Sequence, residues 1–304
     1  MLPSNHSSTT GATLQLRDGR ALGYLEVGQR DGAPVLHCHG DPSSRLEVLL
    51  LAEQAASLGV RLIGVDRPGI GRSDAKPGFG LLDWPDDVAE VADQLGIERF
   101  AISGLSGGGA FALACAYKIP HRLTACGLIS SISPVAFITR AGSPGLRAAY
   151  WLLGRLPAGL FRSLVRRTMR KGATSTEAET ERALLRNGAR LGAGDQRVLD
   201  LPEVRRTYAR TAVESYRQGM RANVEEALLL AKRWGVRVEE ITCERMFLWH
   251  GAQDRLMPVA TARLLAQALP HCTATFYPDT GHLSTVVTHA DEILSALAVT
   301  GNSR

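Results

Sequence analysis

Apolar and polar positions recur at two different periods along this chain, and the switch between them divides it. Short alternating runs at 13–16 and 21–27 flank Asp18-Gly19, a dipeptide suited to tight hairpins, so the fold is expected to open with an antiparallel pair. Apolar runs of strand length follow at 35–39, 61–65, 100–102, 123–129, 246–250 and 273–277. Between them apolar residues fall at helical spacing. Leu46, Leu49, Leu50 and Ala55 do so within 45–58, and Val88, Val91, Ala92 and Leu95 do so after Trp84-Pro85-Asp86-Asp87. Proline and acids there suit a first helical turn. Further helical runs lie at 110–117, 260–269 and 291–299. Strands alternating with helices at this pitch imply an α/β fold, a mainly parallel sheet covered on both faces.

The alternation stops at Pro134. From 134 to 240 the pattern is helical, with the best runs at 148–156, 160–169, 177–191 and 222–234, before strand signals resume. The expected organisation is a flexible tail at 1–11, a core domain built from 12–133 and 241–299, and a helical insertion at 134–240. Repeats and low-complexity segments are absent.

Charge sharpens this division. Residues 134–240 hold twenty Lys/Arg against eleven Asp/Glu, a net +9, so of the chain's 35 and 30 the rest keeps fifteen against nineteen, or −4. Such a basic segment can favour anionic substrates or an anionic membrane surface, and it also fits solvated helix faces. Around Tyr150 to Lys171, Arg155, Arg162, Arg166, Arg167, Arg170 and Lys171 flank apolar residues, as an interfacial helix or an ordinary surface helix would. No nucleic-acid-binding module accompanies the charge, so no nucleic-acid partner is expected. Cys38, Cys115, Cys126, Cys243 and Cys272 are widely spaced without a Cys-x-x-Cys pair, and read as reduced, mostly buried thiols. The Ser/Thr-rich start lacks the pattern of a secretory leader, and no apolar run nears the roughly 20 residues that span a bilayer. A cytoplasmic protein without a stable membrane anchor is the expectation; oligomeric state is left open.

The chemistry centres on Gly104-Leu105-Ser106-Gly107-Gly108, between a strand and a helix. A serine at such a turn can project its hydroxyl only from a strained backbone, which needs nearly side-chain-free neighbours. A serine hydroxyl attacks at neutral pH only with a base beside it, and the base needs a carboxylate to fix its tautomer. Loops that follow predicted strands supply both: Gly251-Ala252-Gln253-Asp254 after 246–250, and Pro278-Asp279-Thr280-Gly281-His282 after 273–277. Asp279 competes with Asp254 for the acid, and Asp254 fits the loop position better. Ser103 and Ser130 also lie near strand ends, without flanking glycines. His37 and His39 share a strand face, but no third ligand at sensible spacing appears, so neither metal nor cofactor is expected.

At this point the chain resembles the α/β-hydrolase superfamily from about residue 14 to 297. The matching motifs are His39-Gly40-Asp41-Pro42, Asp66-Arg67-Pro68-Gly69-Ile70-Gly71-Arg72-Ser73, the serine turn, the 251–258 segment with Asp254, and Gly281-His282, in the family's order. The resemblance implies that Ser106 is the nucleophile, His282 the base and Asp254 the acid. It makes the backbone N–H groups of Asp41 and Gly107 the oxyanion hole, and the helical insertion a cap. His39 then reads as a brace for the oxyanion loop. A carboxylate at Asp41 would oppose an oxyanion, so Arg45 or Arg67 is expected to pair with it and turn it away. The implied activity is serine hydrolysis of a small-molecule carboxylic ester, thioester or lactone through an acyl-enzyme, with Trp151, Leu152, Leu156, Phe161 and Met169 available to an acyl chain or to the cap's own core. The same triad also serves C–C bond hydrolases, lyases, cofactor-free oxygenases, or a ligand sensor with negligible turnover.

Overall fold

The computed structural model describes residues 10–299. Eight strands form one sheet in the order β1-β2-β4-β3-β5-β6-β7-β8. β1 (Ala12–Gln15) and β2 (Ala21–Gly28) are the expected hairpin, with Gln15 opposite Ala21 and Gly19 in the left-handed region at φ 87°. β2 also runs antiparallel to β4 (Val60–Val65). The remaining neighbours are parallel: β3 (Ala33–Cys38), β5 (Phe100–Leu105), β6 (Leu123–Ile129), β7 (Met246–Gly251) and β8 (Cys272–Tyr277). All of β5 is buried, which is why it reads as an apolar run rather than an alternation.

Helices α1 (Ala52–Ser57), α2 (Trp84–Gln94) and α3 (Gly108–Lys118) connect the first strands. Between β6 and β7 come seven helices: α4 (Val135–Ala141), α5 (Pro144–Leu153), α6 (Ala158–Ala173), α7 (Glu177–Leu191), α8 (Ala193–Leu199), α9 (Pro202–Ser215) and α10 (Arg221–Leu230). α11 (Val259–Ala268), α12 (Ser284–Thr288) and α13 (Ala290–Ala298) are the last helices among the described residues. α2, α3 and α11 bury their apolar faces on one side of the sheet, with Trp84, Val88, Phe111 and Leu265 in that core. α1, α12 and α13 cover the other with Ala55, Val286, Ile293 and Leu297. Four cysteines are buried and Cys272 is half-buried, all as free thiols.

One expectation changes. The helix expected at 45–58 is split: Arg45–Leu51 is a tighter 3₁₀ turn and only Ala52–Ser57 is α-helical. Arg45 and Glu47 lie within that first turn and are buried, drawn inward by polar partners rather than by an apolar stripe. The tail expected at 1–11 lies outside the described residues except Thr10 and Gly11, and these two are tied down: Arg45 donates to Thr10 O and Arg72 to Gly11 O. Helix α9 had no clear apolar signal because part of its buried face is Thr211 and Ser215.

Phe111 of α3 shows how the core reaches the site. It is fully buried, meets Trp84 edge-on at 6.1 Å, and carries the Arg67 guanidinium over its ring at 4.4 Å. Phe111→Ala is expected to cost about 3–5 kcal/mol in urea unfolding; a loss below about 1 kcal/mol would show that the neighbours collapse into the space.

Candidate active site

Ser106 sits between β5 and α3 with φ 53°, in the left-handed region that non-glycine residues seldom occupy. Its carbonyl accepts from Gly109 N and Ile132 N, at 3.1 and 3.0 Å, and its own N–H donates to Ile129 O at 3.0 Å. The flanking glycines let this turn pack. A methyl group on Gly104 would stand 2.3 Å from Gly108 O, and one on Gly108 would stand 2.0 Å from Cys38 O. Gly107 precedes the first turn of α3, whose amides have no intrahelical acceptor and present the positive end of the helix dipole.

The loop after β3 lies against this turn. A methyl group on Gly107 would be 3.6 Å from Asp41 Cβ and 4.0 Å from Asp41 N, and 3.2 Å from Leu230 of α10. Buried Glu47 holds the loop from within: Gly40 N donates to it at 3.0 Å, Ser43 Oγ at 2.6 Å and His37 Nε2 at 2.9 Å. From the other side Arg67 donates to the carbonyls of His39 and Gly40. His39 Nδ1 donates to Gly40 O at 2.8 Å, and burial with the nearby Arg67 charge drives its pKa well below the ordinary value. A neutral ring braces the loop.

Asp254 follows β7 and His282 follows β8. Nδ1 of His282 donates to Asp254 Oδ2 at 2.7 Å, while Asp254 Oδ1 accepts from Leu256 N and Met257 N, both at 2.8 Å. Burial alone would raise the Asp254 pKa, but His282, His250 and the backbone donors together lower it. For His282 burial acts downward and is outweighed by the Asp254 carboxylate, with Asp195 and Glu47 adding, so its pKa is raised. Ser106, Asp254 and His282 therefore occupy the same end of the sheet, after β5, β7 and β8. No hydrogen bond joins Ser106 Oγ to His282 among the described residues, a contact that commonly tightens only around a bound substrate. Asp279 contributes only its carbonyl, to Arg197.

The family profile for the alpha/beta hydrolase fold matches residues 33–287. The chain belongs to this family. It is 30% identical over 226 residues to a pimeloyl-[acyl-carrier protein] methyl ester esterase of Aromatoleum aromaticum, covering 74% of this chain and 81% of that one. It is 33% identical over 136 residues to a non-heme chloroperoxidase of Streptomyces lividans, covering 44% of this chain and 49% of the relative. With that chloroperoxidase, as with several other curated relatives, it shares less than half of the relative's length. An esterase from Exiguobacterium antarcticum has the same fold, with a TM-score of 0.71 at 19% identity over 95% of this chain and all of that one.

In this α/β hydrolase two sequence expectations are corrected. Neither Arg45 nor Arg67 is hydrogen-bonded to Asp41. Arg45 binds Asp66 at 2.6 Å and Glu214 of α9 at 2.8 Å, and Arg67 binds Glu226 of α10. Both guanidiniums are pulled to carboxylates that the linear pattern leaves far away. Asp41 keeps some exposed surface, but its carboxyl is enclosed, and its pKa is raised to about 7 by burial and Glu226, against Arg67 and Asn223. Trp151 and Leu152, candidates for an acyl lining, face outward at 56% and 53% exposure. Phe161 and Leu156 pack instead with Leu228 in a small satellite core.

Sequence reasoning also missed three residues. Asp195 of α8 is fully buried and accepts from the backbone N–H groups of His282, Leu283 and Ser284 at 3.0, 3.0 and 2.9 Å, and from Ser284 Oγ at 2.8 Å. Glu47 was hidden in an expected helix. His250 Nε2 lies 3.3 Å from Asp254 Oδ2 and 2.8 Å from Met257 O, behind the carboxylate. Only the order acid then histidine, at strand ends, signalled this region. Asp195→Ala leaves those donors without an acceptor in a dry place and is expected to lower stability by about 1–3 kcal/mol. It should also weaken the low-field Nδ1 proton resonance of His282; an unchanged resonance would show that the loop holds itself.

Proposed function

We propose that this α/β hydrolase cleaves a carboxylic ester, with thioesters and lactones in the same class, through an acyl-enzyme on Ser106. The observation that carries the reading is the 2.7 Å hydrogen bond from His282 to Asp254, at the same end of the sheet as a serine held at φ 53°. Ser106 Oγ attacks the carbonyl carbon while His282 Nε2 accepts its proton. His282 then returns the proton to the departing alcohol or thiol. Water, deprotonated by the same imidazole, attacks the acyl-serine, and the imidazolium returns that proton to Ser106 Oγ as the acyl C–O bond breaks and the acid leaves. Asp254 holds the ring in the Nδ1–H tautomer and steadies the imidazolium. The N–H groups of Asp41 and Gly107 receive the oxyanion, where one donor is typically worth roughly 3–4 kcal/mol of transition-state stabilisation. The helical insertion acts as a cap, with Leu230 approaching the Ser106 turn and Asp195 positioning the histidine loop. The esterase names of a relative and of a fold neighbour support the same bond type.

An activity panel of p-nitrophenyl esters and lactones of graded acyl length tests this directly. Ser106→Ala is expected to lose about 10⁴-fold or more in kcat, and undiminished cleavage by the pure variant would end the proposal.

The pH profile carries a second expectation. His282 acts as base only when neutral, so kcat/KM rises with pH through its raised pKa. Asp41 ionises near pH 7, placing a carboxylate beside the oxyanion, so activity falls again above that pH. Asp41→Asn should remove the alkaline fall and leave turnover unchanged or raised; a large loss at every pH would mean that the carboxyl takes part in the chemistry.

A further inference from the structure

The α5–α6 segment, two helices joined by a short turn at its tip, carries both buried and exposed apolar residues. Leu153, Leu156, Ala158, Phe161 and Val165 pack with Leu228 and Ala231 at the end of α10. Outside this packing Trp151 at 56%, Leu152 at 53%, Leu160 at 56% and Leu164 at 44% stay exposed. The four lie at or near the tip of the segment, two at the end of α5 and two in the first half of α6. Packing of the insertion does not account for them, because other residues do that. Beside Trp151 a groove of about 340 Å³ opens between Thr139, Pro144, Arg147 and Ala148.

Charge singles out the occupant. From 134 to 176 the chain has eight Lys/Arg and no Asp/Glu. Of these, Arg162 is neutralised by Glu225 at 2.7 Å, and the other seven make no ion pair among the described residues. Arg147, Arg155, Arg166, Arg167, Arg170 and Lys171 are exposed. On α6 the outer stripe runs Leu160, Leu164, Arg167, Lys171, apolar toward the tip and cationic behind it. The Arg155 guanidinium lies over the Trp151 ring at 4.0 Å, joining the two kinds of group at the tip itself. A second copy docking by the same face would set like charges against each other.

We infer that the α5–α6 tip docks on an anionic lipid surface, with Trp151, Leu152, Leu160 and Leu164 entering the headgroup region and the arginines meeting lipid phosphates. Tryptophan suits that depth because its ring is apolar with one polar N–H, and arginine stems can lie along apolar surface while their heads stay with phosphate. The contact is peripheral, as no described helix is long and apolar enough to cross a membrane.

The protein carries its own probe. Of its four tryptophans, Trp84, Trp234 and Trp249 are buried, so a vesicle-dependent change in emission reports Trp151. With phosphatidylglycerol/phosphatidylcholine vesicles the emission should shift to the blue, and the protein should float with them. Pure phosphatidylcholine should retain at least tenfold less, and about 0.5 M salt should release the protein by screening the arginines. Trp151→Ala combined with Leu160→Ser should weaken flotation about tenfold or more, while hydrolysis of a short soluble ester stays unchanged and certifies the fold. No flotation on anionic vesicles, equal flotation on neutral ones, or full retention by the double variant would each overturn the inference.

Discussion

The site end of this molecule depends on buried carboxylates that accept backbone and arginine N–H groups where strands give way to loops. A loop leaving a parallel sheet carries amides without ladder partners, and each one buried unpaired costs about 1–3 kcal/mol. A buried carboxylate is itself costly, by several kcal/mol, unless donors surround it. The structure sets one deficit against the other. Glu47 takes up the loop after β3, Asp254 its own loop after β7, and Asp195 the loop after β8. Asp66 accepts from Arg45 N and Arg72 N and also binds the Arg45 side chain. Removing one partner leaves the other exposed to the full penalty, so these loops are fixed in place.

The same arrangement makes the helical insertion part of the site. Asp195, Glu214 and Glu226 belong to helices α8, α9 and α10, and they bind respectively the His282 loop, Arg45 and Arg67. Thr211 adds hydrogen bonds to Ser43 and Ser44, on the strand side of the same boundary. The insertion is therefore fastened by these polar attachments as well as by apolar packing, with Ile138, Leu230 and Trp234 buried in the same core as Phe111. Electrostatics at the centre follow from these attachments. Because Arg67 is committed to Glu226, the Asp41 carboxyl keeps only part of that cation's influence, and burial raises its pKa toward neutrality.

Much of the fold was legible in the sequence because burial leaves a periodic trace. Continuous apolar runs marked the parallel strands, Asp18-Gly19 marked the hairpin, and the loss of strand signals after Pro134 marked the insertion. The Ser106 turn was legible because its glycines answer to steric contacts made locally: Gly104 against Gly108, Gly108 against Cys38. The polar fastenings were not legible. Glu47, Asp195 and Glu226 look like surface acids on helices, and their partners lie 7, 87 and 159 positions away, at distances no local pattern encodes. The expected Arg45 or Arg67 partner for Asp41 failed for this reason. Both arginines had better-placed acceptors that only the three-dimensional fold brings near. Trp151 and Leu152 were misplaced for another reason: helical spacing tells that a residue shares a face, not which face is turned inward.

The proposed chemistry requires that Ser106 form a covalent acyl intermediate, activated through His282 and Asp254. The most direct measurement is rapid acid quenching of the enzyme during turnover of an activated ester, followed by peptide mass spectrometry. One added acyl group is expected on the peptide containing Ser106, appearing in a burst and disappearing as substrate is exhausted. An acyl group on any other residue, or turnover with no adduct on Ser106 at any quench time, would contradict it.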